Sequence, residues 1–187
     1  MFLFEKKSYR IAAVGAEPDA LELLETRNGA FRSFRIINRG AAPCRIREAV
    51  VLSLPHTFPA DTRIYGEGFN MLSQYWGTLE EIESTTYTDR DHYRLPVREG
   101  FFTCYNLVHL FPATGSPVLG GFSSCRRFTN EIRFNRERIE FVVDCEGAEV
   151  SAHGSLELEE LYLSRTGGRE EQLSEFVARL AANHPPL

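Results

Sequence analysis

The residues best suited to chemistry fall in two short segments. The first is Thr88-Asp89-Arg90-Asp91-His92-Tyr93-Arg94, which gathers two carboxylates, an imidazole, a phenol and two guanidinium groups. Paired carboxyl groups can run acid–base chemistry when their surroundings split their pKa values. The same residues also describe a solvated loop in which Asp89 and Asp91 balance Arg90 and Arg94. A third reading is a polar contact with a sugar or a second subunit, made by Asp91 and His92. The second segment, residues 66–79, reads GEGFNMLSQYWGTL and holds the only Trp of the chain. Aromatic faces stack on the C–H face of a pyranose, and fixed amides read its hydroxyls. Asn70, Gln74, Tyr75 and Trp76 are the right types for that work. Gly66, Gly68 and Gly77 would let the backbone bring them together. The plainer alternative is a hydrophobic loop closing one end of the fold.

Other chemistries find no support. The sequence has no GxSxG elbow, HExxH, EF-hand or P-loop pattern. His56, His109 and His153 are isolated, and His109 lies in an apolar run where a packed, hydrogen-bonded histidine is expected. Cys44, Cys104, Cys125 and Cys145 form no CxxC pair, and no His stands near them at zinc-site spacing. They are expected to be free thiols packed in a reducing interior. No catalytic residue, metal ligand or cofactor is therefore assigned. The pair Gly120-Gly121 inside an apolar run predicts a bulge or a close approach. Arg126 and Arg127 predict a charged strand edge.

The elements that must position these residues follow from periodicity. Apolar and polar residues alternate through 31–38, 44–54, 101–111 and 118–123. Residues 131–134 and 138–143 predict a hairpin with one apolar face and one Arg/Glu face turned to water. Residues 155–163 predict a last strand. Then the period changes. Leu173, Phe176, Val177, Leu180 and Ala181 form one stripe of a helix over 169–183, stopped by Pro185-Pro186. The expected fold is all-β, an antiparallel β-sandwich over 1–164 with one C-terminal α-helix and linker over 165–187. The helix stripe must dock on the sandwich or on a part beyond it. In the second case Leu173 and Phe176 would be exposed and would drive homo-oligomer formation.

Bulk properties fit this reading. The chain has 187 residues, 43% of them hydrophobic and 25% charged, which suits one globular domain. A net charge of −5 argues against a nucleic-acid partner. No window is apolar enough to span a membrane, and the start MFLFEKKSYR is unlike a secretory signal. A cytoplasmic setting is expected.

Several stretches resemble the N-terminal domain of glycoside hydrolase family 36, the α-galactosidases and their raffinose-synthase-like relatives. They are YGEGFNMLSQ at 65–74, DHYR at 91–94, LGGFSSCRRF at 119–128, and LELEELYL followed by a helix and His-Pro-Pro. The resemblance implies a β-supersandwich whose linker enters a (β/α)8 barrel carrying both catalytic aspartates. It thus implies that this chain alone is inactive and meets an α-galactoside through a partner catalytic domain. In the family a G-[FWY]-[QN]-S-W-S segment of the sandwich lies near the sugar pocket. Gly68, Phe69, Asn70 and Ser73 match it, Met71 and Leu72 replace its Ser-Trp pair, and Trp76 follows four residues later. A stand-alone carbohydrate-binding or assembly module is the alternative.

Overall fold

Alternation along the chain becomes a ladder of antiparallel strands. The computed structural model describes residues 2–6, 9–17, 19–69, 74–84 and 92–185. One layer contains β1 (Phe2–Lys6), β2 (Tyr9–Val14), β5 (Cys44–Pro55), β12 (Arg138–Val150), β11 (Thr129–Phe134) and the start of β9 (Phe102–Phe111), in that order. The second layer runs from the rest of β9 to β10 (Val118–Phe122), β14 (Leu161–Ser164) and β4 (Phe31–Asn38). Strands β3 (Leu21–Asn28) and β13 (Ser155–Glu157) also pair with β4, while β6 (Arg63–Glu67), β7 (Gln74–Thr78) and β8 (Ile82–Ser84) extend the layer from β9. Between the layers, Ile11, Ile46, Ile132, Phe134 and Phe141 meet Phe34, Ile36, Val108, Leu110 and Leu161 in one buried core. Fully burying such a side chain contributes about 1.5–3 kcal/mol.

Strand β9 joins the layers by changing partners. Its residues Phe102, Thr103 and Cys104 pair with β11, while Leu107 to Leu110 pair with β10 and Tyr105 to Phe111 with β6. At the change Asn106 adopts a left-handed conformation, φ 61°, and the β6 register slips between Gly66 and Glu67. Asparagine tolerates this backbone better than most residues.

The second layer is apolar on both faces. Leu107, Leu119 and Tyr162 form a smaller cluster on its outer side, closed by Phe176 of helix α1 (Arg169–Asn183). The helix therefore docks on the sandwich, at the bounds its periodicity predicts. Phe176 is 3% exposed, and Val177, at 55%, is the large apolar residue of the stripe left outside. The exposed stripe on which self-association was expected is largely covered. Polar groups fix the helix at both ends. Gln172 donates to the carbonyls of Pro117 (2.9 Å) and Thr166 (3.0 Å) and pairs with His109 Nε2 through its Oε1 (3.0 Å). Near the other end Arg179 donates twice to Glu160, at 2.8 and 2.6 Å, and Asn183 donates to the Ser123 carbonyl at 2.8 Å. His109 is thus the packed, bonded histidine expected. The Gly120-Gly121 pair is explained by close approach. A Cβ on Gly120 would stand 2.5 Å from the Phe141 ring, and one on Gly121 would stand 3.1 Å from Phe176.

Three expectations change. The single strand over 155–163 is two strands, β13 and β14. Residues 158–160 leave the ladder between them and send Glu159 and Glu160 toward residues 123–128. The Arg/Glu face of the β11–β12 hairpin is not in water, because Glu131, Arg133 and Glu140 are 5%, 6% and 1% exposed. Arg133 is paired with Glu48 and Glu131, Arg98 joins the same group, and Arg10 donates twice to Glu140 at 2.7 Å. Burial is tolerable there because each charge has an opposite partner. Finally, Cys125 is exposed, although Cys44, Cys104 and Cys145 are buried free thiols as expected. Burial pushes the Cys145 thiol up to about 12.

Candidate functional site

The described residues of the segment 66–79 include two paired strands rather than a loop. Strands β6 and β7 pair in the register Tyr65–Trp76, Gly66–Tyr75 and Glu67–Gln74. Because side chains alternate along a strand, Tyr65, Glu67, Gln74 and Trp76 share one face. Tyr75 lies on the other face and packs against the main core. The four residues expected to act together are therefore divided. Gln74 and Trp76 stand side by side, Tyr75 turns inward, and Asn70 lies outside the described residues. Gly77, at φ 112°, takes a backbone that other residues rarely adopt.

The shared face is a platform with one ring outermost. Trp76 is 41% exposed, with Tyr65 beside it and half-buried. On the neighbouring pair Gln74 and Glu67 are half-buried. Burial raises the Glu67 carboxyl above its ordinary range, while Asn106 donates to its Oε2 at 3.4 Å and works the other way. Burial, and then the Glu67 charge, raises the Tyr65 phenol. The face thus offers aromatic surface for stacking, an amide, and a carboxyl that burial holds closer to neutrality. That is the composition of a site for a neutral polyol with an apolar flank.

At the hairpin end a second aromatic group links the two segments singled out from sequence. The Phe69 ring lies 5.1 Å from Tyr93 and 5.2 Å, edge-on, from buried Tyr105. His92 stands edge-on to Tyr93 at 4.6 Å. Phe69 and Tyr93 keep 41% and 44% of their surface exposed. Residues more than twenty apart in sequence therefore form one exposed aromatic patch. Asp91, the other member of that segment chosen from sequence, lies outside the described residues. Tyr65, Glu67 and Asn106 were not selected from sequence, and Phe69 and Tyr93 lay in the two segments without being assigned a binding role. The Tyr65–Trp76 partnership was readable only once the hairpin register was known.

Among the described residues, no group of three or more His, Cys, Asp or Glu side chains could hold a metal ion. The Arg126-Arg127 pair is not a free anion site either. The backbone N–H groups of Arg126, Arg127 and Phe128 donate to the Glu159 carboxylate at 3.1, 2.9 and 3.1 Å, and the Ser124 hydroxyl joins them. Burial raises the Glu159 carboxyl, but these donors prevail and hold it below the ordinary range. No helix among the described residues is long and apolar enough to cross a membrane.

Comparison of the fold with solved structures identifies its shape. The fold matches part of an α-galactosidase. The solved α-galactosidase of Lactobacillus brevis aligns with 94% of this chain at a TM-score of 0.54 and 10% sequence identity. This chain spans 25% of that protein's length. No protein-family model matches the sequence, and no curated protein does.

Proposed function

We propose that this chain is the non-catalytic N-terminal sandwich domain of an α-galactosidase-like glycoside hydrolase. The observation that carries the reading is the fold correspondence with a quarter of an α-galactosidase chain. The order of the motifs at 65–74, 91–94 and 119–128 supports it independently. In this reading the (β/α)8 catalytic domain belongs to another part of the parent protein. The β6–β7 hairpin and its aromatic end border the sugar subsite of that domain or of a neighbouring subunit. Trp76 and Tyr65 stack on the sugar, Gln74 and Glu67 bond its hydroxyls, and His92 lines the rim. Assembly into a homo-oligomer would use a surface other than the covered helix stripe. The test is the downstream reading frame of the gene. It is expected to encode a barrel with two suitably placed aspartates, and a frame without one overturns the proposal.

A second reading, a stand-alone carbohydrate-binding module, is favoured by one observation. The platform of Tyr65, Glu67, Gln74 and Trp76 is complete within this chain. Calorimetry with galactose, melibiose and raffinose separates the two. Millimolar or tighter binding by the 187-residue chain, lost in Trp76→Ala, supports the module. Absence of heat with all three sugars leaves the accessory-domain reading.

A further inference from the structure

At one open end of the sandwich lies a cleft of about 560 Å³. Its rim is formed by the β3–β4 turn and by the segment that leads from β14 to α1. Arg27, Arg32 and Arg165 line it, and Leu52, Leu54 and Leu163 supply the apolar part of its wall. None of the residues lining it is acidic. The volume is that of a small-molecule site, whose usual range is about 300–1,000 Å³.

We infer that this cleft binds a small organic carboxylate carrying a short apolar body. Among the described residues, the carboxylate that pairs with Arg27 and Arg32 is Glu25. It receives Arg27 Nε at 2.7 Å, Arg27 Nη2 at 3.0 Å and Arg32 Nη1 at 2.9 Å. Glu25 demonstrates that the Arg27 guanidinium holds a carboxylate in a forked geometry, and it leaves positive charge in excess. Arg165 is exposed and makes no ion pair among the described residues. This local excess stands out on a chain of net charge −5. Burial lowers the proton affinity of Arg32, and the charges of Arg27 and Arg165 act in the same direction, so the three groups feel one another. An arriving anion relieves that repulsion. Guanidinium forks match a carboxylate in shape as well as charge. The leucine wall then selects among anions. It rewards an apolar body, and it offers a bare inorganic oxyanion nothing. The inference does not depend on the sugar-platform reading, since the cleft residues belong to neither β6 nor β7.

The test is calorimetry of the whole 187-residue chain in low-chloride buffer, with butyrate, acetate, inorganic phosphate and butyramide as probes. Butyrate is expected to bind more tightly than acetate or phosphate, and uncharged butyramide not at all. Arg165→Gln should weaken butyrate about tenfold, as loss of one charge-assisted hydrogen bond does. Its thermal transition should not move, because the side chain is exposed and unpaired. Arg27→Gln should weaken butyrate similarly. The inference fails if no anion gives heat, if phosphate binds as tightly as butyrate, or if both variants bind butyrate like the parent. A galactose titration of Arg165→Gln should match the parent, which keeps this outcome separate from that of the proposed function.

Discussion

Gly120 is held between layers with no room for a methyl group. The nearest atoms to an added Cβ, 2.5 Å away, belong to the ring of Phe141, which is 1% exposed and packs edge-on against Phe122. A ring so enclosed has nowhere to swing. Gly120→Ala is expected to cost about 1–3 kcal/mol, as overpacked cores do. The reading is a lower urea midpoint at an unchanged slope. A shift under about 0.5 kcal/mol would show that the ring can yield. Glu160 gives a prediction in pH. Its hydrogen bonds from Arg179, aided by Asn183 and Ser123, lower its carboxyl to about 2. The unfolded chain, with an ordinary carboxyl near 4.5, binds a proton first as pH falls. The stabilisation from Glu160 is therefore present above about pH 4.5 and is lost as pH falls toward 2. Glu160→Gln should be less stable than the parent at pH 7, by about 1–2 kcal/mol. The gap should close by pH 2–3 in paired denaturant titrations. A gap independent of pH would mean that the Arg179 contact contributes nothing through charge.

At the scale of elements, helix α1 is the clearest case of agreement. A 3.6-residue stripe and a double proline are local signals, and the observed helix has the predicted bounds. Its energetics should follow its exposure. Phe176→Ala removes the one ring of α1 that closes the outer cluster and should cost about 3–5 kcal/mol. Val177→Ala, one residue along on the exposed side, should cost less than about 0.5 kcal/mol. Equal losses in a urea titration would contradict the docking described. The long strands β4, β5, β9 and β12 were legible for a similar reason, since alternation is local. Strands β6 and β7 were not, because glycines and polar residues interrupt their pattern. Nor was the break between β13 and β14 legible. It serves Glu159 and Glu160, whose partners Ser124, Arg127 and Arg179 are distant in sequence. The buried Arg/Glu face was misread as wetted because its pairs, Arg10 with Glu140 and Glu48 with Arg133, are made across strands. Alternation reports which residues share a face and is silent on what covers it.

Across the whole molecule, the candidate site was half legible. Composition pointed to two segments, but the contact of Phe69 with Tyr93 that joins them is tertiary, and the strand register removes Tyr75 from the group. In the proposed reading this surface holds a sugar and leaves bond cleavage to another domain. Hydrolysis of a glycosidic bond by the common route needs two carboxyl groups about 5–10 Å apart. The described side chains of the platform present one, Glu67, half-buried beside Asn106. Such a carboxyl can donate or accept a hydrogen bond to a hydroxyl, and among the described side chains of the platform no second carboxyl stands beside it to activate water or trap the glycosyl cation. The 187-residue chain should therefore release no nitrophenol from nitrophenyl α-galactoside above the rate in buffer. If the proposed accessory role holds, adding the catalytic domain of the parent protein should give turnover. In that assembly Trp76→Ala should raise KM more than it lowers kcat, because a ring that stacks on the sugar as proposed binds ground and transition states alike. Turnover by the purified chain alone, abolished in Glu67→Gln, would place an acid of the reaction on the hairpin and overturn this division of labour.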